Sequence, residues 1–316
     1  MKKLLLTLGI ISAPLIAQKT IYVYAPGWDI AQYFAAVGVT KEFNAYDITF
    51  KQVSSAHAIA PHEQALFFDI DPAAQSAYAA LSPENCILFL WEPPTVKPHN
   101  YDKRYHNFFN RIYTWNDTLV DKIKYFKVHY PVRHDMRPAS RTFAQKKLCV
   151  MVAANKRSNH EFELYTQRAA TIHYFNQNHP DEFDLYGFDW PHSLRVYKGV
   201  INDKLECASA YKFSIAYENL TNVPGYITEK IFDCFISGCV PIYWGAPNIT
   251  DYIPQSCFID RNNFSSQEEL YEYISTMSEE THQKYIKAIQ EFLMSDAAHK
   301  FSPQFFVELL KSIYLT

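Results

Sequence analysis

The stretch Phe213-Ser214-Ile215-Ala216-Tyr217-Glu218-Asn219, followed after three residues by Val223-Pro224-Gly225-Tyr226-Ile227-Thr228-Glu229-Lys230, decides how this chain is read. Residues 213–217 form a short apolar run of strand length, and Pro224 and Gly225 mark a turn-rich loop. A helical pattern then starts near Thr228, runs to Ser237 and stops at Gly238, a good residue just past a helix end. A strand that passes directly into a helix belongs to a parallel α/β sheet. It brings the helix N-terminus to the carboxyl edge of that sheet, where such folds bind ligands. Free backbone N–H groups and the positive helix end favour an anion there. Lys230, in the first turn, adds a full positive charge suited to a phosphate, whereas Glu229 suits the hydroxyl donors of a ribose. Taken alone, Thr, Glu and Lys at a helix start are ordinary capping and dipole residues.

The same alternation extends on both sides. Strand-like runs occur at 21–24, 65–70, 86–91 and 111–115, and again at 148–154, 184–188 and 240–244, with a helical pattern at 161–176. Between the two sets, residues 122–147 hold eight Lys or Arg against one Asp, with Pro131 and Pro138. This segment reads as a solvated linker, with a basic lip over a phosphate ligand as the sharper alternative, and it places the domain junction near residue 140. The tail is helical at 268–277, 279–294 and 303–314. The expected organisation is therefore a signal-like or anchor segment (1–18), a first lobe (19–140), a second lobe (141–295) and a C-terminal helix (296–316).

Composition narrows the function. With 316 residues the chain has room for about two domains, and 48% hydrophobic with 20% charged residues is a globular profile. Only 8 glycines argue against repeat, collagenous and Gly-loop architectures. A net charge of −3 leaves no basic field to gather nucleic acid. Met1-Lys2-Lys3 and the uncharged stretch 4–17 read as a secretory signal or short membrane anchor, although Leu15 departs from the small residue that cleavage favours. A buried first strand is the bland alternative. The six cysteines show no Cys-x-x-Cys and sit mostly in apolar runs, so buried free thiols are expected rather than zinc.

The ordered series Tyr211-Lys212-Phe213, Glu218-Asn219, Gly225-Tyr226-Ile227-Thr228-Glu229-Lys230 and Val240-Pro241-Ile242-Tyr243-Trp244-Gly245, continuing through Pro254 and Phe258-Ile259-Asp260, resembles the α1,3/4-fucosyltransferases of glycosyltransferase family 10. The match covers roughly residues 146–265. The resemblance implies an α/β fold of GT-B type, with two Rossmann-like lobes facing a cleft and C-terminal helices. It implies inverting transfer of L-fucose from GDP-fucose, with no catalytic metal and no other cofactor, to a GlcNAc- or Glc-type hydroxyl of an oligosaccharide or polysaccharide acceptor in α1,3 or α1,4 linkage. Carried over by position, it assigns Asn219, Tyr226, Glu229 and Lys230 to the donor, with Arg168 facing the diphosphate from the first helix of the donor lobe. Glu218 holds the loop or touches the sugar, with the structural role favoured, and the helix terminus at Thr228 adds positive potential beside the diphosphate.

In the first half one segment stands out, Phe89-Leu90-Trp91-Glu92-Pro93-Pro94. Glu92 follows a buried strand and should sit at its carboxyl end facing the cleft. A sugar hydroxyl is a poor nucleophile until its proton leaves, and one partly buried carboxylate can take that proton. Glu92 matches the proposed catalytic base of the family. Asp69-Ile70-Asp71 spells the Asp-x-Asp of metal-dependent transferases, but three letters recur by chance and the segment reads as a strand end. An exported two-lobed, non-catalytic sugar-binding protein is the competing class. It leaves Glu92 and Glu229-Lys230 unexplained. A hydrolase, which needs two facing carboxylates, ranks last. The N-terminal segment implies membrane association or export, with the catalytic part on the cytoplasmic face if the source is bacterial.

Overall fold

The computed structural model describes residues 18–137 and 141–315. Residues 1–17 of the expected signal-like or anchor segment (1–18), and residues 138–140 at the expected junction near residue 140, lie outside the described residues. The first half runs β1 (Lys19–Tyr24), α1 (Ile30–Ala36), α2 (Val39–Asn44), β2 (Ile48–Val53), β3 (Ala65–Phe68), α3 (Gln75–Ala80), β4 (Cys86–Leu90), α4 (Lys103–His106), β5 (Arg111–Thr114) and β6 (Tyr125–Lys127). Its strands make one parallel sheet in the order β2-β1-β3-β4-β5-β6. Every residue of β3 and β4 is buried, as a sheet covered on both faces requires.

The second half runs β7 (Lys147–Val152), α5 (Tyr165–Asn178), β8 (Phe183–Tyr186), α6 (Lys204–Ser209), β9 (Tyr211–Tyr217), α7 (Glu229–Ile236), β10 (Val240–Trp244) and β11 (Ile259–Asp260). Helices α8 (Gln267–Ser275), α9 (Glu279–Leu293), α10 (Asp296–His299) and α11 (Pro303–Tyr314) follow. The second sheet is also parallel, in the order β11-β10-β9-β7-β8. In each sheet the chain winds first one way and then the other. The point of reversal lies between β1 and β3 in the first sheet and between β7 and β9 in the second, and α/β folds open a ligand crevice at such points.

Two features were not expected. The described part of the basic segment 122–147 is not wholly a solvated linker. It contains the edge strand β6, and several of its cations are engaged: Lys127 with Asp117 at 2.6 Å, Arg137 with Asp203 at 3.0 Å, and Lys147 with Asp184 at 2.7 Å. These pairs tie the connection to both halves. The last helix, α11, leaves the second half and packs Phe306, Val307, Leu310, Ile313 and Tyr314 into the core of the first. Lys19 donates to the Tyr314 carbonyl and Lys311 pairs with Glu42, which pins the helix there.

Candidate functional site

The decisive stretch folds as strand, loop and helix. Thr228 caps α7 in an extended conformation, its hydroxyl accepting from the Lys230 N–H. Behind it lies Glu218, wholly buried. A buried carboxylate needs every lone pair answered. Here the Thr228 N–H donates at 2.8 Å, the Thr228 hydroxyl at 2.8 Å, and the Lys230 ammonium stands at 3.0 Å. Glu218 is thus the anchor of the helix start and reaches neither of the open hollows described below. Burial works against the Lys230 charge, but Glu218 and Glu229 outweigh it and keep that ammonium firmly protonated.

Arg168 arrives from α5 and is also buried. Its guanidinium donates to the Tyr217 carbonyl at 2.7 Å and to Asn219 Oδ1 at 3.0 Å, and it lies over the Tyr165 ring at 5.1 Å. These contacts fix the end of β9 and leave a cation beside the helix start. The loop then crosses to the first half. Gly225 has φ +82°, and a Cβ there would collide with the Trp115 carbonyl, Lys127 Nζ and Asp117 Oδ2, so only glycine permits the approach. Tyr226 follows and packs on Trp115 with ring centroids 4.5 Å apart.

On the first half, β4 ends at Leu90 and Glu92 emerges two residues later, at the carboxyl edge. Burial pushes its carboxyl up to about 7, with the neighbouring Asp69 charge adding to the shift and Lys230 and Lys156 opposing it. Glu92, Asn219, Tyr226, Thr228, Glu229 and Lys230 line one hollow of about 290 Å3 between the halves, walled by Trp28, Tyr33, Trp91 and Tyr130. An adjoining hollow of about 270 Å3 lies at the β7/β9 reversal, bounded by Val152 to Ala154, Tyr217, Arg168, Asn219, Glu229 and Lys230. Each is at the low end for a small-molecule site. Asn219, Glu229 and Lys230 belong to both, so the two hollows meet at the start of α7.

A sequence profile described as "Glycosyltransferase family 10 (fucosyltransferase) C-term" matches residues 142–302, just over half of the chain. The chain belongs to glycosyltransferase family 10. An Alpha-(1,4)-fucosyltransferase of Arabidopsis thaliana is 46% identical over 79 residues, covering 25% of this chain and 20% of that protein. An Alpha-(1,3)-fucosyltransferase FucT of Helicobacter pylori is 41% identical over 75 residues, 23% of this chain and 15% of its own length. The chain therefore spans a fifth or less of these curated relatives. A crystal structure of an alpha1,3-fucosyltransferase with GDP superposes with TM-score 0.58 at 16% identity, covering 98% of this chain and 94% of the other. A glycosyltransferase from Rickettsia africae gives TM-score 0.60 at 13% identity, with 94% and 98% covered. Together with the paired parallel sheets, these place the family 10 chain in the GT-B fold.

Sequence reasoning passed over two residues of the site. Asp69, read as a strand end, does follow β3, but it is buried and binds the turn that carries Glu92; Asn100 carried no sequence signal at all. All six cysteines are free thiols, five of them buried. Among the described residues no cluster of His, Cys, Asp and Glu is arranged to hold a metal ion, and no helix is long and apolar enough to cross a membrane.

Proposed function

We propose that this protein transfers L-fucose from GDP-fucose, with inversion, to a GlcNAc- or Glc-type hydroxyl of a glycan acceptor in α1,3 or α1,4 linkage. The single observation that carries the reading is the meeting of two hollows at Asn219, Glu229 and Lys230, with Arg168 in one and Glu92 in the other. The nucleotide occupies the hollow at the β7/β9 reversal, with its diphosphate against Arg168, Lys230 and the start of α7. Glu229 accepts from the ribose hydroxyls, and Tyr226 and Asn219 position the diphosphate. The acceptor enters the aromatic-walled hollow of the first half, whose flat rings suit the apolar faces of sugars.

In the transfer, Glu92 takes the proton of the acceptor hydroxyl as that oxygen bonds to the anomeric carbon from the face opposite the phosphate. The bond from the anomeric carbon to the β-phosphate oxygen breaks, and its electron pair leaves with GDP. Negative charge grows on the β-phosphate, where Arg168, Lys230 and the helix terminus already stand, so little reorganisation is needed. A carboxylate titrating near 7 is half in the base form at neutral pH and still basic enough to accept the proton. The positive charge in this reading comes from side chains and the helix end, not from a metal.

The test is GDP release from GDP-fucose by the full chain in EDTA with N-acetyllactosamine or lactose, beside Glu92→Gln and Lys230→Ala. Turnover that survives EDTA and collapses in both variants is expected. If GDP fails to bind the folded wild-type chain, the non-catalytic sugar-binding reading takes its place. Membrane association through residues 1–17 belongs to the same proposal, and fractionation of the full chain against one lacking that segment tests it.

A further inference from the structure

Glu92 lies in a turn that its own sequence does not hold in place. The turn Trp91-Glu92-Pro93-Pro94 is held by residues outside it: Trp115 Nε1 and the Tyr130 hydroxyl donate to the Trp91 carbonyl, and the other bonds come from β3 and from a segment eight residues downstream. The Trp91 N–H donates to Asp69 Oδ1 at 2.7 Å, the Glu92 N–H donates to the same oxygen at 2.9 Å, and the Asn100 amide donates to it at 2.6 Å. The second hydrogen of that amide goes to the Glu92 carbonyl at 2.9 Å, and the Asn100 side-chain oxygen accepts from the Ile70 N–H at 2.7 Å.

Asn100 is fixed in turn. Its carbonyl accepts from His106 Nε2 at 2.8 Å, while His106 Nδ1 meets the Tyr125 hydroxyl at 2.9 Å, an arrangement the neutral ring satisfies with the hydroxyl donating to Nδ1. Burial holds the His106 pKa below its usual value, in keeping with that form. Asp69 itself has φ +62°, a left-handed conformation that Asp and Asn tolerate better than other side chains. A buried carboxylate in a rare conformation, receiving three donors on one oxygen at the foot of a reactive turn, is an unusual investment for a strand end.

We infer that Asp69 is a positioning residue of the transfer: as a buried anion bonded through one oxygen to both N–H groups of the Trp91–Glu92 turn and to Asn100, it fixes the Glu92 carboxylate at the cleft and sets a second negative charge behind it. This rests on the proposed role of Glu92. The groups around the pair are few. Glu92 is influenced by Asp69, Glu229, Lys230 and Lys156; burial raises the Asp69 pKa, the three hydrogen bonds on Oδ1 and Lys97 work against that and favour the anion, and its charge bears on Tyr101 and Tyr130. Asp69 stands with Glu229 in raising the affinity of Glu92 for a proton, while the two lysines lower it. Because all three bonds fall on Oδ1, an amide at this position keeps them and removes only the charge.

The experiment compares Asp69→Asn, Asp69→Ala and Glu92→Gln in the full chain, measuring kcat/KM against pH, kcat, the KM for GDP-fucose and GDP affinity. Asp69→Asn is expected to fold and bind GDP as the wild type does, with the acid limb of kcat/KM moved to lower pH. Asp69→Ala, which orphans three buried donors, is expected to lose kcat by tenfold or more with the KM for GDP-fucose unchanged. An acid limb that does not move in Asp69→Asn overturns the inference. So does an Asp69→Ala protein of lowered melting temperature whose kcat at a temperature well below melting equals that of the wild type. Glu92→Gln separates this from the reading beneath it. If that variant turns over at the wild-type rate, the base assignment itself has failed, whatever Asp69 does.

Discussion

Two glutamates line the same hollow from opposite halves of the molecule, and their surroundings drive them apart. Glu92, behind the aromatic wall of the first half, is raised to about 7 by burial and by Asp69. Glu229, in the first turn of α7, also feels burial, but Lys230, Lys204 and the hydrogen bonds of the helix start outweigh it and hold it below the usual carboxyl range. Two carboxyls with separated affinities for protons divide labour: one exchanges a proton at neutral pH, and the other stays a fixed acceptor. The difference follows from the two lobes. The first is built around rings, such as Phe68, Phe89, Trp91, Tyr113 and Phe306, that offer a carboxylate no compensation, whereas the second brings cations to its buried acids.

The hardest test of this contrast is Glu92→Gln, for which kcat should fall by roughly 10²–10⁴ with GDP affinity unchanged by calorimetry. Lys230→Ala strips the compensation from the other side. Leaving Glu218 buried without its cation should cost about 3–5 kcal/mol of stability, read as a fall in melting temperature together with loss of GDP binding. The pH profile comes next. The base must be unprotonated, so kcat/KM of the free enzyme should drop about tenfold per unit below pH 7 and level off above it. Glu229→Gln should be milder, raising the KM for GDP-fucose roughly tenfold, equivalent to about 1.4 kcal/mol, with that acid limb moved to lower pH by less than in Asp69→Asn.

The smallest effect is on stability, and its sign is informative. Glu92 has a folded-state pKa of about 7, above its ordinary 4.5. The native chain therefore binds a proton more tightly than the unfolded one. The resulting stabilisation is complete below pH 4.5 and disappears as pH rises through 7. Above that, the wild type carries a half-buried charge, only partly offset by Lys230 and Lys156, that Glu92→Gln lacks. The variant should melt higher than the wild type at pH 8, and the gap should close on acidification; equal melting temperatures at pH 8 would break the contrast between the two walls.

How much of this could be read beforehand depends on where the signal lies along the chain. The strand, loop and helix around Thr228 are contiguous, so capping, charge and the glycine stop at Gly238 all pointed one way, and Glu92 was legible as a carboxylate just past a buried apolar run. Both edge strands of the first sheet escaped: β2 reads Ile-Thr-Phe-Lys-Gln-Val with two of its six residues exposed and only one buried, and β6 hides among lysines. Glu218 was read with two roles, the structural one favoured, and its burial against Thr228 and Lys230 keeps it out of both hollows. Asp69 was weighed only as part of an Asp-x-Asp triplet, because its real partner, Asn100, is 31 residues away and only the fold joins them. Gly225 was legible as a turn, but its need for glycine depends on Trp115 and Asp117 in the other lobe.

The return of α11 to the first lobe bears on how the chain is made. The first sheet is complete once Lys127 has been synthesised, yet the apolar seat beside Trp91, Tyr33 and Phe89 stays open until Phe306 emerges. At about 5–20 residues per second, that wait lasts on the order of ten to thirty seconds. During it, the growing polypeptide leaves an aromatic groove uncovered. A first lobe expressed without residues 303–314 should therefore be the aggregation-prone half of this protein.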